Sequence, residues 1–302
     1  MKKYPNLSPM GILLSLFILL SADGFAQRNA DFDSVTVLAD KNNLNVCGFV
    51  KEVAATLDTA SLRVVYHLTY TPAPGMTPRE YDQVLLVGEK YTRCYSPIYE
   101  QVDTMASEMA GKYGRAIIIP DMPLEPTGEV YRDLAENKLR VLQRVPFQKN
   151  YVVSYTEPAD AMEWTMCPEA DTVEGYPCYK ARAEYSGRVW TVWYAPGISV
   201  DAGPWKFCGL PGLILRAEDD TQSYAFTLRS LRQAAVPIVR YTLPCREQTK
   251  RKWVRSECGF HTSPIFYFGS GGKNIFYDKE SRGELDRNWS VAYNPIEWPK
   301  NE

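Results

Sequence analysis

Histidine is nearly missing from this 302-residue chain: there are two, His67 and His261, and neither stands in a serine or cysteine nucleophile signature. His67 reads as a strand-face residue and His261 as a loop residue. No group of histidines and cysteines has zinc-ligand spacing, so neither a metal nor any other cofactor is expected. Charge of one sign is missing too. With 34 basic and 36 acidic residues the formal net charge is -2, which lacks the basic footprint that nucleic acid demands. Long apolar runs are confined to Met10–Leu20, shorter than the roughly 20 apolar residues a bilayer crossing needs.

That one run has a different meaning. Lys2 and Lys3 precede it and Gly24-Phe25-Ala26 follows, the pattern of a secretory signal, so residues 1–26 are expected to be removed. The mature chain would begin near Gln27 with 32 basic and 35 acidic residues, carry no transmembrane anchor, and reside in a periplasm or outside the cell. All seven cysteines lie beyond Ala26, where an oxidising compartment lets them pair; Cys167 with Cys178 and Cys245 with Cys258 would each staple neighbouring segments across a short loop.

Aromatic residues are plentiful, with 20 Tyr, 11 Phe and 7 Trp, and they favour strands. Strands are expected over Arg63–Tyr70 and Gln83–Val87, with a Pro/Gly loop between them, and more briefly near Ala116, Glu129, Leu139 and Tyr151. Ile98, Val102, Met105 and Met109 recur at steps of three and four, which predicts one principal helix over Pro97–Gly111. Strands do not alternate with helices, so a parallel doubly wound sheet is excluded. The expected fold is mainly β (α+β): a twisted, curved antiparallel meander or half-barrel with one helix packed on it.

Two local readings are sharper. A two-residue loop at Ser186-Gly187 pairs Tyr185 with Arg188, Ala183 with Trp190, Ala181 with Val192 and Tyr179 with Tyr194. That register buries Ala181, Ala183, Trp190 and Val192 on one face and sets Lys180, Arg182, Glu184 and Trp193 on the other. Downstream, Pro211 and Gly212 spell a type II turn between a Trp205–Cys208 strand and a Leu213–Ala217 strand, with Gly209 in a bulge. Tyr224, Phe226 and Leu228 alternate along a further strand, Val236–Leu243 reads as one more, and Gly269–Lys273 is a loop without P-loop spacing.

Trp164, the run Gly175-Tyr176-Pro177-Cys178-Tyr179-Lys180-Ala181, Gly187-Arg188, Trp193-Tyr194, Gly203-Pro204 and Phe207 lead into Gly209-Leu210-Pro211-Gly212-Leu213-Ile214. Together they resemble the signature of the GLPGLI family of Bacteroidetes, whose hexapeptide is intact here. Leu85-Leu86-Val87-Gly88 is similar to a segment upstream of it. The resemblance spans Leu62 to Ala234 and implies an exported protein with no assigned reaction. The chain then divides into a signal (1–26), an N-terminal segment (27–60), a GLPGLI-type β domain (61–235) and an aromatic, loop-rich extension (236–302).

The functional expectation follows. Trp193, Tyr194, Trp205 and Phe207 would form a ligand-binding face, and the protein would be a non-enzymatic cell-envelope module that binds a small apolar or glycan ligand, or a cell-envelope protein. The alternative is an envelope hydrolase whose acid and base are Asp201 and Glu218. Within Glu218-Asp219-Asp220 the aspartates are expected to bond turn backbone.

Overall fold

The computed structural model describes residues 48–113, 125–145, 151–262 and 294–298. All of them belong to the compact unit Ala39–Glu302. The signal segment, Cys47, the expected strand near Ala116 and the Gly269–Lys273 loop lie outside the described residues.

Among the described residues twelve strands form one sheet: β1 (Glu52–Tyr70), β2 (Arg79–Val87), β3 (Tyr91–Tyr95), β4 (Glu129–Asp133), β5 (Lys138–Gln143), β6 (Val152–Pro158), β7 (Thr165–Val173), β8 (Tyr176–Tyr185), β9 (Arg188–Ala195), β10 (Leu213–Asp219), β11 (Tyr224–Thr242) and β12 (Cys245–Glu247). Their spatial order is β12-β6-β5-β4-β3-β2-β1-β11-β10-β9-β8-β7. Every pair is antiparallel except β12 with β6. This is the mainly β, α+β class expected, and helix α1 (Pro97–Tyr113) is its principal helix, with Pro97 in the first turn where its missing N–H costs nothing.

A second helix, α2 (Lys250–Thr262), was not legible from periodicity. Its buried positions are Trp253, Val254, Glu257 and His261, so two of the four residues on its inner face are polar and the apolar stripe is broken.

The β8–β9 hairpin has the register read from the sequence, Tyr185 opposite Arg188 and Tyr179 opposite Tyr194. Ser186 and Gly187 both take positive φ, 48° and 79°, the geometry of a hairpin turn matched to strand twist.

The inner face carries one continuous core: Tyr66 and Leu68 of β1, Leu85 of β2, Val141 of β5, Tyr155 of β6, Trp190 of β9 and Phe226 of β11 all belong to it. Among the described residues the sheet has no closing ladder, yet it curls far enough for its ends to meet. The Tyr185 hydroxyl of β8 donates to Glu157 Oε2 of β6 over 2.7 Å, although those strands stand at the second and eleventh places of twelve. Side chains, not backbone, close the seam.

The outer face is partly roofed by the chain's own ribbon. β1 and β11 pair over their whole length with four register shifts, whereas of β1 only Leu62–Tyr70 pairs with β2. Beyond Leu62 the ribbon bends back so that Ala60 and Ile238 pack on Val65, Val84 and Leu86, a second small core. The Tyr131 hydroxyl of β4 donates to the Val239 carbonyl at 3.0 Å.

Two expectations about the signature need correction. Trp205–Cys208 is not a strand: Trp205 sits at φ +53°, and the Phe207 N–H bonds the Pro204 carbonyl at 3.1 Å in a tight turn. Nor is Leu210–Leu213 a type II turn. The Gly212 N–H bonds the Leu210 carbonyl at 2.8 Å, a three-residue turn around Pro211, while the Leu213 N–H is taken by the Ile198 carbonyl at 3.1 Å. A competing acceptor on the neighbouring loop redirected the bond that a four-residue turn would have used.

The disulfide expectation also fails. Cys167 and Cys178 are free thiols, because the register sets Asp171 opposite Cys178 and an irregularity between Met166 and Ala170 takes Cys167 out of line. Cys245 is likewise a free thiol, so no bridge to Cys258 forms.

Candidate functional site

The signature loop fills the inside of the curled sheet. Trp205 is 2% exposed and meets Tyr185, Trp190 and Phe207 at ring-centroid distances of 5.8, 5.6 and 5.3 Å. Its backbone N–H bonds Cys94 Sγ of β3 at 3.2 Å, and the Cys208 thiol donates to the Ala159 carbonyl at 3.2 Å. Burial pushes those thiols up, Cys94 to about 12 and Cys208 to about 11, so both stay protonated and unreactive.

The aromatic residues singled out as a ligand face are therefore covered. Trp205 and Phe207 are core. Tyr194 is buried with its hydroxyl 3.5 Å from Met166 Sδ, and Trp193, on the outer side of β9, lies beneath the Arg216 guanidinium 3.6 Å from its ring centroid. The chain's own loop takes the concave side that a ligand was expected to occupy. Within Gly209–Ile214, Gly209 (φ +92°) faces the Trp164 indole, whose N–H donates to the Cys208 carbonyl at 2.7 Å.

Nor do the two carboxylates proposed for acid–base work converge. Asp201 accepts the Arg132 guanidinium at 2.9 Å and the Gly209 N–H on the inner side. On β10 Ala217 and Asp219 are buried while Arg216 and Glu218 are not, so strand alternation turns Glu218 outward. Asp219 does what a turn aspartate does, accepting the Ser223 and Tyr224 N–H groups at 2.8 and 2.7 Å, and it also holds Arg188 at 2.5 Å.

Sequence reading missed a buried ionic cluster at the seam. Lys206 Nζ, wholly buried, reaches Glu157 Oε1 at 2.5 Å, Glu297 Oε2 at 2.8 Å and the Tyr155 hydroxyl at 2.9 Å. Lys250 of α2 joins the same two carboxylates, at 2.9 Å to Glu157 and 2.6 Å to Glu297, and donates to Ser186 Oγ at 3.0 Å. Burial opposes the Glu297 charge, but Lys206 and Lys250 pull the carboxyl well below its ordinary value. Lys250 loses by burial and gains more from Glu297 and Glu157, so its pKa rises. That sign decides the chemistry: a lysine held as a cation cannot take a proton from Ser186 at neutral pH, so the Ser–Lys contact is a clamp and not a nucleophile–base pair. No contiguous motif announced it, because its charges come from β6, the signature loop, α2 and the 294–298 segment.

A second buried polar group lies against β2 and β3. The Glu125 carboxylate accepts Gln83 Nε2 at 3.3 Å, the Thr127 N–H at 3.1 Å and the Thr127 hydroxyl. Burial raises its pKa to about 7 against those lowering hydrogen bonds. A folded-state pKa above the unfolded value of about 4.5 contributes stability that is complete below pH 4.5 and is lost as pH rises through 7. Glu125→Gln should thus leave the melting temperature little changed at pH 5 and stabilise the protein by about 2 kcal/mol at pH 8; equal effects at both pH values would refute a titrating Glu125.

The open site lies on the outer face. Between the bent ribbon and strands β4–β6 runs a groove of about 240 Å³, walled by Leu57, Leu142 and Leu243 with the Tyr91, Tyr131 and Tyr241 rings, and carrying Asp133, Glu136, Lys138, Arg140 and Arg240. The tyrosine hydroxyls are committed: Tyr91 donates to Asp133 at 2.8 Å, Tyr131 to the Val239 carbonyl, and Tyr241 to Glu100 at 2.7 Å. Ring positions are thereby set. Arg93, buried behind the groove, holds Glu129 at 2.6 Å and Glu100 at 2.8 Å and braces α1 against β3 and β4. The alternating Tyr91-Arg93-Tyr95 and Glu129-Tyr131-Asp133 patterns carried this signal, but it has no meaning until the ribbon folds over them.

No family model and no curated protein matches the chain. Among solved structures it is similar to PNGF-II in the P21 space group, with 14% identity, a TM-score of 0.43 and 65% of this chain covered. PNGF-II in the C2 space group matches at 13% identity and a TM-score of 0.40. The chain spans about a third of the length of each, 32%.

Proposed function

We propose that this chain is an exported cell-envelope protein of the GLPGLI type, acting as a non-enzymatic binding or scaffold module whose ligand or partner segment occupies the outer-face groove. One observation carries the reading: the inner face is packed with the protein's own signature loop, whereas the outer face keeps a preformed groove with apolar walls and a few polar groups. Export rests on the basic–apolar–small pattern of residues 1–26, and the family on the intact hexapeptide. The Asp201–Glu218 hydrolase has no support from the arrangement of those residues.

Mature protein from Gln27 should gain thermal stability with members of a lipid and glycan panel. Thr156→Trp, an exposed groove-wall substitution, should abolish the gain while leaving the circular dichroism spectrum unchanged. Binding that survives Thr156→Trp would place the site elsewhere and defeat the proposal, as would a panel with no binder.

A further inference from the structure

We infer that the groove selects a small amphiphilic anion, a short acyl chain ending in a carboxylate, with the acid group held between Arg140 and Arg240. The inference rests on the binding reading above and deepens it.

The argument begins with which charges are already used. Asp133 accepts the Tyr91 hydroxyl and the backbone N–H groups of Ala135 and Glu136, the latter two at 3.0 Å, and Glu136 pairs with Lys138 at 3.0 Å. Asp133 is therefore satisfied locally, and Glu136 and Lys138 offset one another in charge as an exposed pair. The two arginines are not so offset. Arg140 comes no nearer than 3.6 Å to Glu247, whose side chain is 80% exposed, a contact worth little in water. Arg240, paired through its backbone with β1, has an exposed side chain with no side-chain hydrogen bond or ion pair among the described residues. A weakly hydrated, planar guanidinium matches a carboxylate in geometry as well as charge, so two of them on one groove make an anion subsite.

The rest of the groove decides what the anion is attached to. A sugar ring needs a polar partner for each hydroxyl, and here the tyrosine hydroxyls already donate to Asp133, Val239 and Glu100. The walls between the charged groups are leucine and ring surface, which suits methylene groups. The volume, about 240 Å³, falls below the roughly 300 Å³ where pockets for drug-sized ligands begin, so the occupant is short.

Octanoate, octanol, glucuronate and glucose, titrated into ¹⁵N-labelled mature protein, separate the terms. Octanoate should bind about tenfold more tightly than octanol, a preference that Arg140→Gln/Arg240→Gln removes without disturbing the spectrum elsewhere and that 0.5 M salt weakens. Equal binding of octanoate and octanol, blocked by Thr156→Trp, would overturn anion selection and leave the groove as the site. Glucuronate binding without octanoate binding would overturn the acyl assignment. Shifts by any probe that persist in Thr156→Trp would sink the groove reading itself, and no shifts with any of the four would overturn this inference.

Discussion

Lys206→Met should lower stability by about 3–5 kcal/mol, the cost of leaving a buried carboxylate without its counter-ion. In the native cluster two ammonium groups face two carboxylates, Lys206 and Lys250 against Glu157 and Glu297. Removing Lys206 leaves one cation for two anions at a position shut off from water, and Tyr155 loses its 2.9 Å partner. Urea unfolding reads the loss directly. Glu297→Gln on the same background restores the charge balance and should recover a large part of it, whereas independent sites would add. A single-variant loss below about 1 kcal/mol would show that the cluster is hydrated and that the seam is held by apolar packing alone. Acid tests the same contact. Because the Glu297 pKa is depressed on folding, its contribution is present above about pH 4.5, the unfolded value, and is lost as pH falls through about 2.

Gly212→Ala should cost about 3 kcal/mol or more, by steric overlap with rigid backbone. A Cβ there would stand 2.6 Å from the Ala195 carbonyl carbon, closer still to its oxygen, and 2.8 Å from the Pro196 nitrogen, none of which can rotate aside. Gly209→Ala is the matched control: its nearest contacts are Trp164 side-chain atoms at 3.4 Å, so only the positive φ opposes it, for roughly 1 kcal/mol. Thermal melts that rank Gly209→Ala as the more damaging would reverse this account of why the hexapeptide carries its second glycine.

Much of the strand content was legible because it is local. The β8–β9 register follows from a two-residue turn and strict alternation, and one slipped residue would turn Trp190 and Val192 to solvent. Helix α1 was legible from three-and-four spacing, although of the residues read as its stripe Val102 is buried and Met105 exposed, the inner face being Tyr99, Val102, Asp103 and Ala106; α2 was not legible, since Glu257 and His261 occupy its inner face. The signature misled in a specific way: Trp205, Phe207 and Leu210 look like strand residues because they are apolar, but they are apolar as a plug inside the sheet and not as one of its ladders.

Chain order alone therefore determined a mainly β protein with one leading helix, a fixed central hairpin and a glycine–proline segment that cannot run straight. Only the tertiary structure decided that this segment fills the concave side, that β6 and β8 meet through buried lysines and glutamates, and that the accessible groove lies on the opposite face. The reason is range: turns and alternation act over a few residues, while Lys206 and Glu297, 91 positions apart, acquire their meaning only when a curled sheet brings them within 2.8 Å.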